Sequence, residues 1–152
     1  MDSLQIEKIL RHNRITRRYF MGCFAADKIP QEIQRYPCSM VVNLEKASQN
    51  GSHWIAFFIM NPEKILIFDS LLLPNTPISI KNFISKFPKR VMNNVTLQNA
   101  LLPTCGQHCI TFIFLFLVDT LIKIPILVIN YQNPDEFVFT FIVKMIKIYN
   151  KI

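Results

Sequence analysis

Glycine is scarce in this chain, with three in 152 residues, and none sits in a Gly-rich phosphate-binding loop. Nucleotide chemistry of the P-loop kind is therefore excluded. No paired Cys-x-x-Cys knuckle is present. Cys105, His108 and Cys109 crowd one short segment, while Cys23, Cys38 and His12 are scattered, so a zinc site is not expected. No apolar run reaches the roughly 20 residues needed to span a bilayer. The longest, Ile110 to Val118, is interrupted by Thr111 and ended by Asp119 and Lys123, and it reads as a buried core helix. The beginning, Met1-Asp2-Ser3-Leu4-Gln5, is polar and lacks the apolar stretch of a secretion signal. A reducing compartment with free thiols is the corresponding expectation for the four cysteines. No internal repeat, linker or low-complexity tract occurs.

What is abundant is apolar surface and positive charge. Half of the chain, 51%, is hydrophobic, and Phe occurs 13 times, which is enough for a sizeable core and excludes a disordered chain. The length suits one domain spanning 1–152, and a monomer is expected. Lysines and arginines outnumber acids 17 to 10, giving a net charge of +7. They concentrate at Lys8 to Arg18, at Lys81 to Arg90 and at Lys144 to Lys151. Such a surface either serves solubility or attracts acidic partners, DNA among them.

Periodicity predicts an α+β domain. Ile6, Ile9 and Leu10 space a first helix over 2–11. Cys38–Leu44, His53–Met60 and Ile65–Asp69 are apolar strands joined by turn signals at Ser48-Gln49-Asn50-Gly51 and Asn61-Pro62-Glu63-Lys64, an antiparallel meander. Both faces look buried, so helices should cover the sheet. A helix over 79–87 follows, then a fourth strand over 91–98. A long helix from Cys105 to Ile124 is stopped by Pro125. A fifth strand is expected over 126–131. Asn133-Pro134-Asp135-Glu136 is a helix start, with Asn as N-cap and Pro at the first helical position, leading a terminal helix to Tyr149.

Cys105-Gly106, at the mouth of the long helix, is the centre of the chemistry. A thiol attacks only as thiolate, and a helix N-terminus favours that anion. Pro103-Thr104 and Gly106 permit a tight loop-to-helix turn. A cysteine at a helix start also serves as plain core packing, so partners decide. His53, at a strand start after Asn50-Gly51-Ser52, faces a sheet edge where it could act as base. Folding the hairpin back about Asn61–Glu63 brings Asp69 beside His53, as orienting an imidazole requires. A strand-ending Asp also caps turns. Gln98 could offer a side-chain N–H to an oxyanion beside the backbone N–H of Cys105. Trp54 would wall the cleft.

These residues resemble the adenain family, the adenovirus-type cysteine endopeptidases and their relatives in virus-like DNA transposons. Tyr19-Phe20-Met21-Gly22 is similar to that family's Tyr-Phe-Leu-Gly. Cys38-Ser39-Met40-Val41-Val42-Asn43 with Gly51-Ser52-His53-Trp54-Ile55-Ala56-Phe57 resembles its His segment. Gln98, six residues, then Cys105-Gly106-x-x-Cys109 resembles its nucleophile segment. The resemblance implies the ubiquitin-like-protease fold, with a central mixed, mostly antiparallel five-stranded sheet packed by helices. It implies Cys105 as nucleophile, His53 as base, Asp69 as orienting acid and Gln98 as oxyanion donor. Trp54, Gly51 and Gly106 would contact substrate. Viral or transposon precursor and capsid proteins, cut at Gly-containing sites, are the implied substrates. The host nucleus or the virion is the implied location. No cofactor is required, but an activating peptide and DNA are implied partners. Asp69 stands where the family has Glu, as in the proteases that remove ubiquitin-like modifiers, which are the alternative. A second alternative is an inactive DNA-binding or scaffold protein that retains the fold. The segment Pro88-Lys89-Arg90-Val91-Met92, where the family joins its activating peptide by a disulfide, has no cysteine.

Overall fold

A computed structural model describes residues 1–122 and 133–149. The helix α1, Ser3–His12, opens on a reciprocal cap. Asp2 accepts the N–H of Gln5 at 2.8 Å, and Gln5 accepts that of Asp2 at 3.0 Å. After a short 3-10 turn come the strands β1 (Phe20–Ala25), β2 (Cys38–Asn43), β3 (Trp54–Asn61) and β4 (Lys64–Phe68). Then follow α2 (Ile78–Ser85), β5 (Lys89–Met92), α3 (Cys105–Ile122) and α4 (Pro134–Tyr149).

The strands form one sheet in the order β1-β2-β3-β4-β5. The meander β2-β3-β4 is antiparallel as expected, and the two outer strands join parallel to their neighbours. The fold is thus α+β around a mixed five-stranded sheet.

Three sequence expectations need correction or placement. The strand β1, Phe20–Ala25, falls on a stretch that no pattern had marked as a strand. Its register shifts between Phe20 and Cys23, and Gly22 takes a φ of +154°. That irregularity removes the alternation that would have betrayed a strand. The side chains of α1 complete it: Glu7 accepts the Cys23 N–H at 3.0 Å, and Arg11 donates to the Met21 carbonyl at 2.9 Å. The fourth strand expected over 91–98 is instead β5, at Lys89–Met92. All four of its residues are exposed, so hydrophobicity was no guide to it. Beyond it the chain leaves the sheet, and the N–H groups of Leu97 and Gln98 turn to the Ser70 carbonyl. The strand expected over 126–131 lies outside the described residues.

Both faces of the sheet are covered. On one face Phe20, Val41, Ala56, Phe58 and Phe68 meet Ile6 and Leu10 of α1, Cys109, Ile110, Ile113 and Leu117 of α3, and Ile142 of α4. Those α3 positions share one side of a helix. Around them, Phe112 stacks on Phe68 and Phe116 tilts on Phe58, each with ring centroids 4.6 Å apart. On the other face Met40, Ile55, Phe57, Ile59 and Ile65 meet Ile80 and Phe83 of α2 and the following Phe87. The expected Asn133 cap is present, its side chain accepting the Glu136 N–H at 3.2 Å. Among the described residues no helix is long and apolar enough to cross a membrane.

Phe58 joins sheet to α3 and is fully buried. Phe58→Ala is expected to lower the unfolding free energy by about 3–5 kcal/mol. Val91→Ala, on the exposed edge strand, is expected to change it by no more than about 0.5 kcal/mol. Chemical denaturation of both variants checks the assignment of the core; equal effects would contradict it.

Candidate active site

The first turn of α3 abuts the start of β3 because the apolar body of α3 must lie along that strand. The backbone of Trp54 is the meeting point. Its N–H favours a charged sulfur on Cys105, and its carbonyl accepts the thiol of Cys109, one turn later, at 3.4 Å. The residue before it, His53, is thereby set against the thiol.

His53 is buried and its Nε2–H donates to Asp69 Oδ1 at 2.7 Å. The remaining ring nitrogen, Nδ1, is the one left to serve the Cys105 thiol, which lines the same cavity. Asp69 reaches His53 diagonally. The β3–β4 ladder pairs Ala56 with Phe68, and one step further sets Asp69 across from Ile55, two residues from His53. The hairpin register read from the sequence was close enough to bring the two side chains together.

The Asp69 carboxylate is held on every side. Oδ1 also accepts the N–H of Leu71 at 2.9 Å, and Oδ2 that of Leu73 at 3.0 Å. Between them Leu72 takes a left-handed φ of 53°, an unfavourable conformation for a branched side chain, kept by the two bonds around it. The Asp69 backbone is fixed by Asn93, just past β5. Asn93 Oδ1 accepts the Asp69 N–H at 2.9 Å, and Nδ2 donates to the Asp69 carbonyl at 2.7 Å. One side chain continues the ladder that β5 abandons.

Gln98 is equally tethered. Its Oε1 accepts the Ser70 hydroxyl at 2.7 Å, and its Nε2 donates to the Leu102 carbonyl at 2.5 Å. An amide has two hydrogens, and the second is not used by that bond. Gln98, His53, Trp54, Gly51, Leu71, Leu102 and Cys105 line one cavity of about 390 Å³. Gly51 fits there because a Cβ would meet Asn43 Nδ2 at 2.7 Å. Gly106 lies elsewhere: a Cβ would face Met1 at 3.1 Å and Ile6 at 3.3 Å, so its smallness serves the packing of α3 on α1. Its N–H still favours the Cys105 thiolate.

The electrostatics follow. Burial works against a charged imidazole, but the hydrogen bonds and charges of Asp69 and Cys105 outweigh it, and His53 is raised to about 9. Burial also disfavours the Cys105 thiolate. The hydrogen bond and charge of His53, with the N–H groups of Trp54 and Gly106, overcome it and hold the thiol below its ordinary value. Burial dominates at the other thiols, raising Cys38 to about 11 against the charge of Arg35 and, with the charge of Glu7, Cys23 to about 12. Cys109 is raised well above the ordinary range by burial and by the charge of Cys105. All four cysteines are free. Among the described residues no three His, Cys, Asp or Glu side chains converge on a metal-ion site.

Sequence reasoning missed Ser70 and Asn93. Each only orients a neighbour, and nothing in its local pattern marks that task. The adjacency of Ser70 to Asp69 was the one available signal.

No protein-family model matches the chain, and no curated protein matches it in sequence. Among solved structures it is similar to the ASFV pS273R protease, with a TM-score of 0.46 and 17% identity over 72% of this chain and 44% of that one. It is also similar to ChlaDub1 from Chlamydia trachomatis, with a TM-score of 0.48 and 16% identity over 75% of this chain and 61% of that one. The chain thus spans less than two thirds of the length of either.

At neutral pH iodoacetamide is expected to modify Cys105 roughly tenfold or more faster than Cys23, Cys38 or Cys109. The raised imidazole contributes stability that is complete below its ordinary value of about 6.5 and is lost as pH climbs through about 9. The lowered thiol contributes stability that is lost as pH falls through its own depressed value. The ion pair therefore occupies the window between the two. Asp69→Asn should bring the upper edge of that window down. Peptide mapping of the alkylated protein across a pH series reads both effects; uniform labelling of the four thiols would contradict them.

Proposed function

We propose that the chain is a cysteine endopeptidase in which Cys105 is the nucleophile, His53 the acid and base, Asp69 the orienting carboxylate and Gln98 an oxyanion donor. One observation carries the reading: a buried carboxylate, imidazole and thiol stand in line, with the thiol held low and the imidazole held high. That is the charge state a thiol protease needs before substrate arrives.

The steps follow from the positions. The Cys105 thiolate adds to the carbonyl carbon of a peptide bond. Charge moves to the carbonyl oxygen, toward the free amide hydrogen of Gln98 and the backbone N–H of Cys105. The intermediate collapses, the C–N bond breaks, and His53 gives its proton to the departing amine. A thioester remains on Cys105. Water, losing a proton to His53, adds to it; the C–S bond breaks, a carboxylic acid leaves, and the thiolate and imidazolium are restored. Asp69 keeps the ring in place by holding Nε2, so the same nitrogen faces the thiol throughout.

Trp54, Leu71 and Gly51 line the cavity, and the Gly-containing sites are proposed from the likeness of the His53 and Cys105 segments to the adenain family. Precursor or capsid proteins of a virus or virus-like transposon are the proposed substrates, processed in the host nucleus or the virion. The exposed Lys89 and Arg90 of β5 suit DNA as a polyanionic activator. Removal of ubiquitin-like modifiers is the second reading, favoured by Asp69 in place of Glu.

Cys105→Ala is expected to abolish cleavage of peptides carrying Gly-Gly before the scissile bond. Gln98→Ala should lower kcat by roughly 10²–10³-fold with little change in KM. Comparing such peptides with modifier fusions, with and without a polyanion over a salt series, separates the substrate classes and reads any DNA effect. Undiminished turnover in Cys105→Ala would refute the assignment of the nucleophile.

A further inference from the structure

Between Gln98 and Cys105 the chain runs without regular secondary structure, yet both ends of this loop carry groups the reaction needs. Such a segment has many conformations unless something ties it. Ser70 and Leu102 hold the Gln98 side chain, and the tie that reaches both ends of the loop comes from the first turn of α4. Asp135 Oδ2 accepts the backbone N–H of Asn99, next to Gln98, at 2.8 Å. Asp135 Oδ1 accepts the hydroxyl of Thr104, next to Cys105, and the Nε2–H of His108, one turn further along α3, at 3.0 Å. One carboxylate, 7% exposed, thus holds the start of the loop, its end and the helix that follows. Hydrogen bonds to a charged acceptor are among the stronger ones, and the N-terminus of α4 favours the charge.

We infer that Asp135 is a positioning residue that fixes the Gln98 side chain relative to the Cys105 backbone N–H by bracing both ends of the loop between them. The inference rests on the protease reading above. It assigns Asp135 no contact with substrate. The thiolate itself depends on His53 and on the N–H groups of Trp54 and Gly106, none of which bonds to Asp135. Loss of the brace should therefore spread the two oxyanion donors apart while leaving the thiol reactive.

The experiment compares turnover of a fluorogenic Gly-Gly peptide amide with alkylation of Cys105 by iodoacetamide. In Asp135→Ala, kcat should fall roughly 10²-fold, as when an oxyanion donor is lost, with KM changed by less than about threefold. The alkylation rate should stay within about threefold of the wild type. Thr104→Val, which removes one arm, should lose roughly tenfold in kcat, and nothing further when added to Asp135→Ala, because both act through one carboxylate. Asp135→Asn, with one acceptor oxygen kept, should fall between. Turnover within about threefold of wild type in folded Asp135→Ala would overturn the inference. So would turnover and alkylation falling together with the folded fraction seen by circular dichroism, which marks a merely structural role. Should Asp135→Ala not fold, Thr104→Val decides by the same two rates, and unchanged turnover in it overturns the inference. A wild type that neither cleaves nor alkylates selectively at Cys105 removes the protease reading and this inference together; a cleaving wild type with an indifferent Asp135 removes this inference alone.

Discussion

The structure depends on burying α3. Its described body is apolar on most sides, so water is excluded from it only if sheet, α1 and α4 close around it. That demand fixes the helix along β3, and the fit is made at a single peptide group. Trp54 offers its N–H to Cys105 and its carbonyl to Cys109, thiols one helical turn apart. A strand residue whose two polar groups both face away from the ladder needs partners in a buried place. The helix start supplies them. The same contact that satisfies the backbone sets Cys105 beside His53, so packing and site geometry are one constraint.

The charges at that contact could not persist without their neighbours. A thiolate and an imidazolium are both disfavoured by burial, and each is favoured by the other. Asp69 adds the second negative partner and is itself stabilised by two backbone N–H groups as well as by His53. The chain of support continues outward through Asn93 to the edge strand β5. An exposed strand thereby takes part in holding a buried carboxylate.

Much of this was legible in the sequence. Helices with amphipathic spacing and the β2-β3-β4 meander follow from local pattern, and the turn at Asn61–Glu63 sets Asp69 near His53. The pairing of Gln98 with Cys105 was legible only through the resemblance of their spacing to that of the adenain family. The strand β1 was not, because its bulge at Gly22 erases the period. The strand β5 was not, because exposed Lys89 and Arg90 carry no apolar signal. Ser70, Asn93 and Asp135 were hidden for a different reason. Each acts by orienting another residue, and orientation is a property of three-dimensional position that residue type does not encode.

Two buried histidines show how far position overrides identity. His53 and His108 each bond a buried carboxylate through Nε2, at 2.7 and 3.0 Å. Yet His53 is raised, while burial and the nearby charge of His53 leave His108 lowered despite Asp135. The difference lies in what else each pair touches. His53 has the Cys105 thiol on its other side, a second group that gains by carrying negative charge. Each carboxylate also accepts two other hydrogen bonds, Asp69 from Leu71 and Leu73 and Asp135 from Thr104 and Asn99, so this sharing does not separate the pairs; His108 has burial and the charge of His53 against it and no thiol in its favour. A neutral His108 also suits its place, since a second positive charge near His53 would weaken the imidazolium that holds the thiolate. One His–Asp pair is thus arranged to keep a proton and the other to go without one, and only the first faces the thiol.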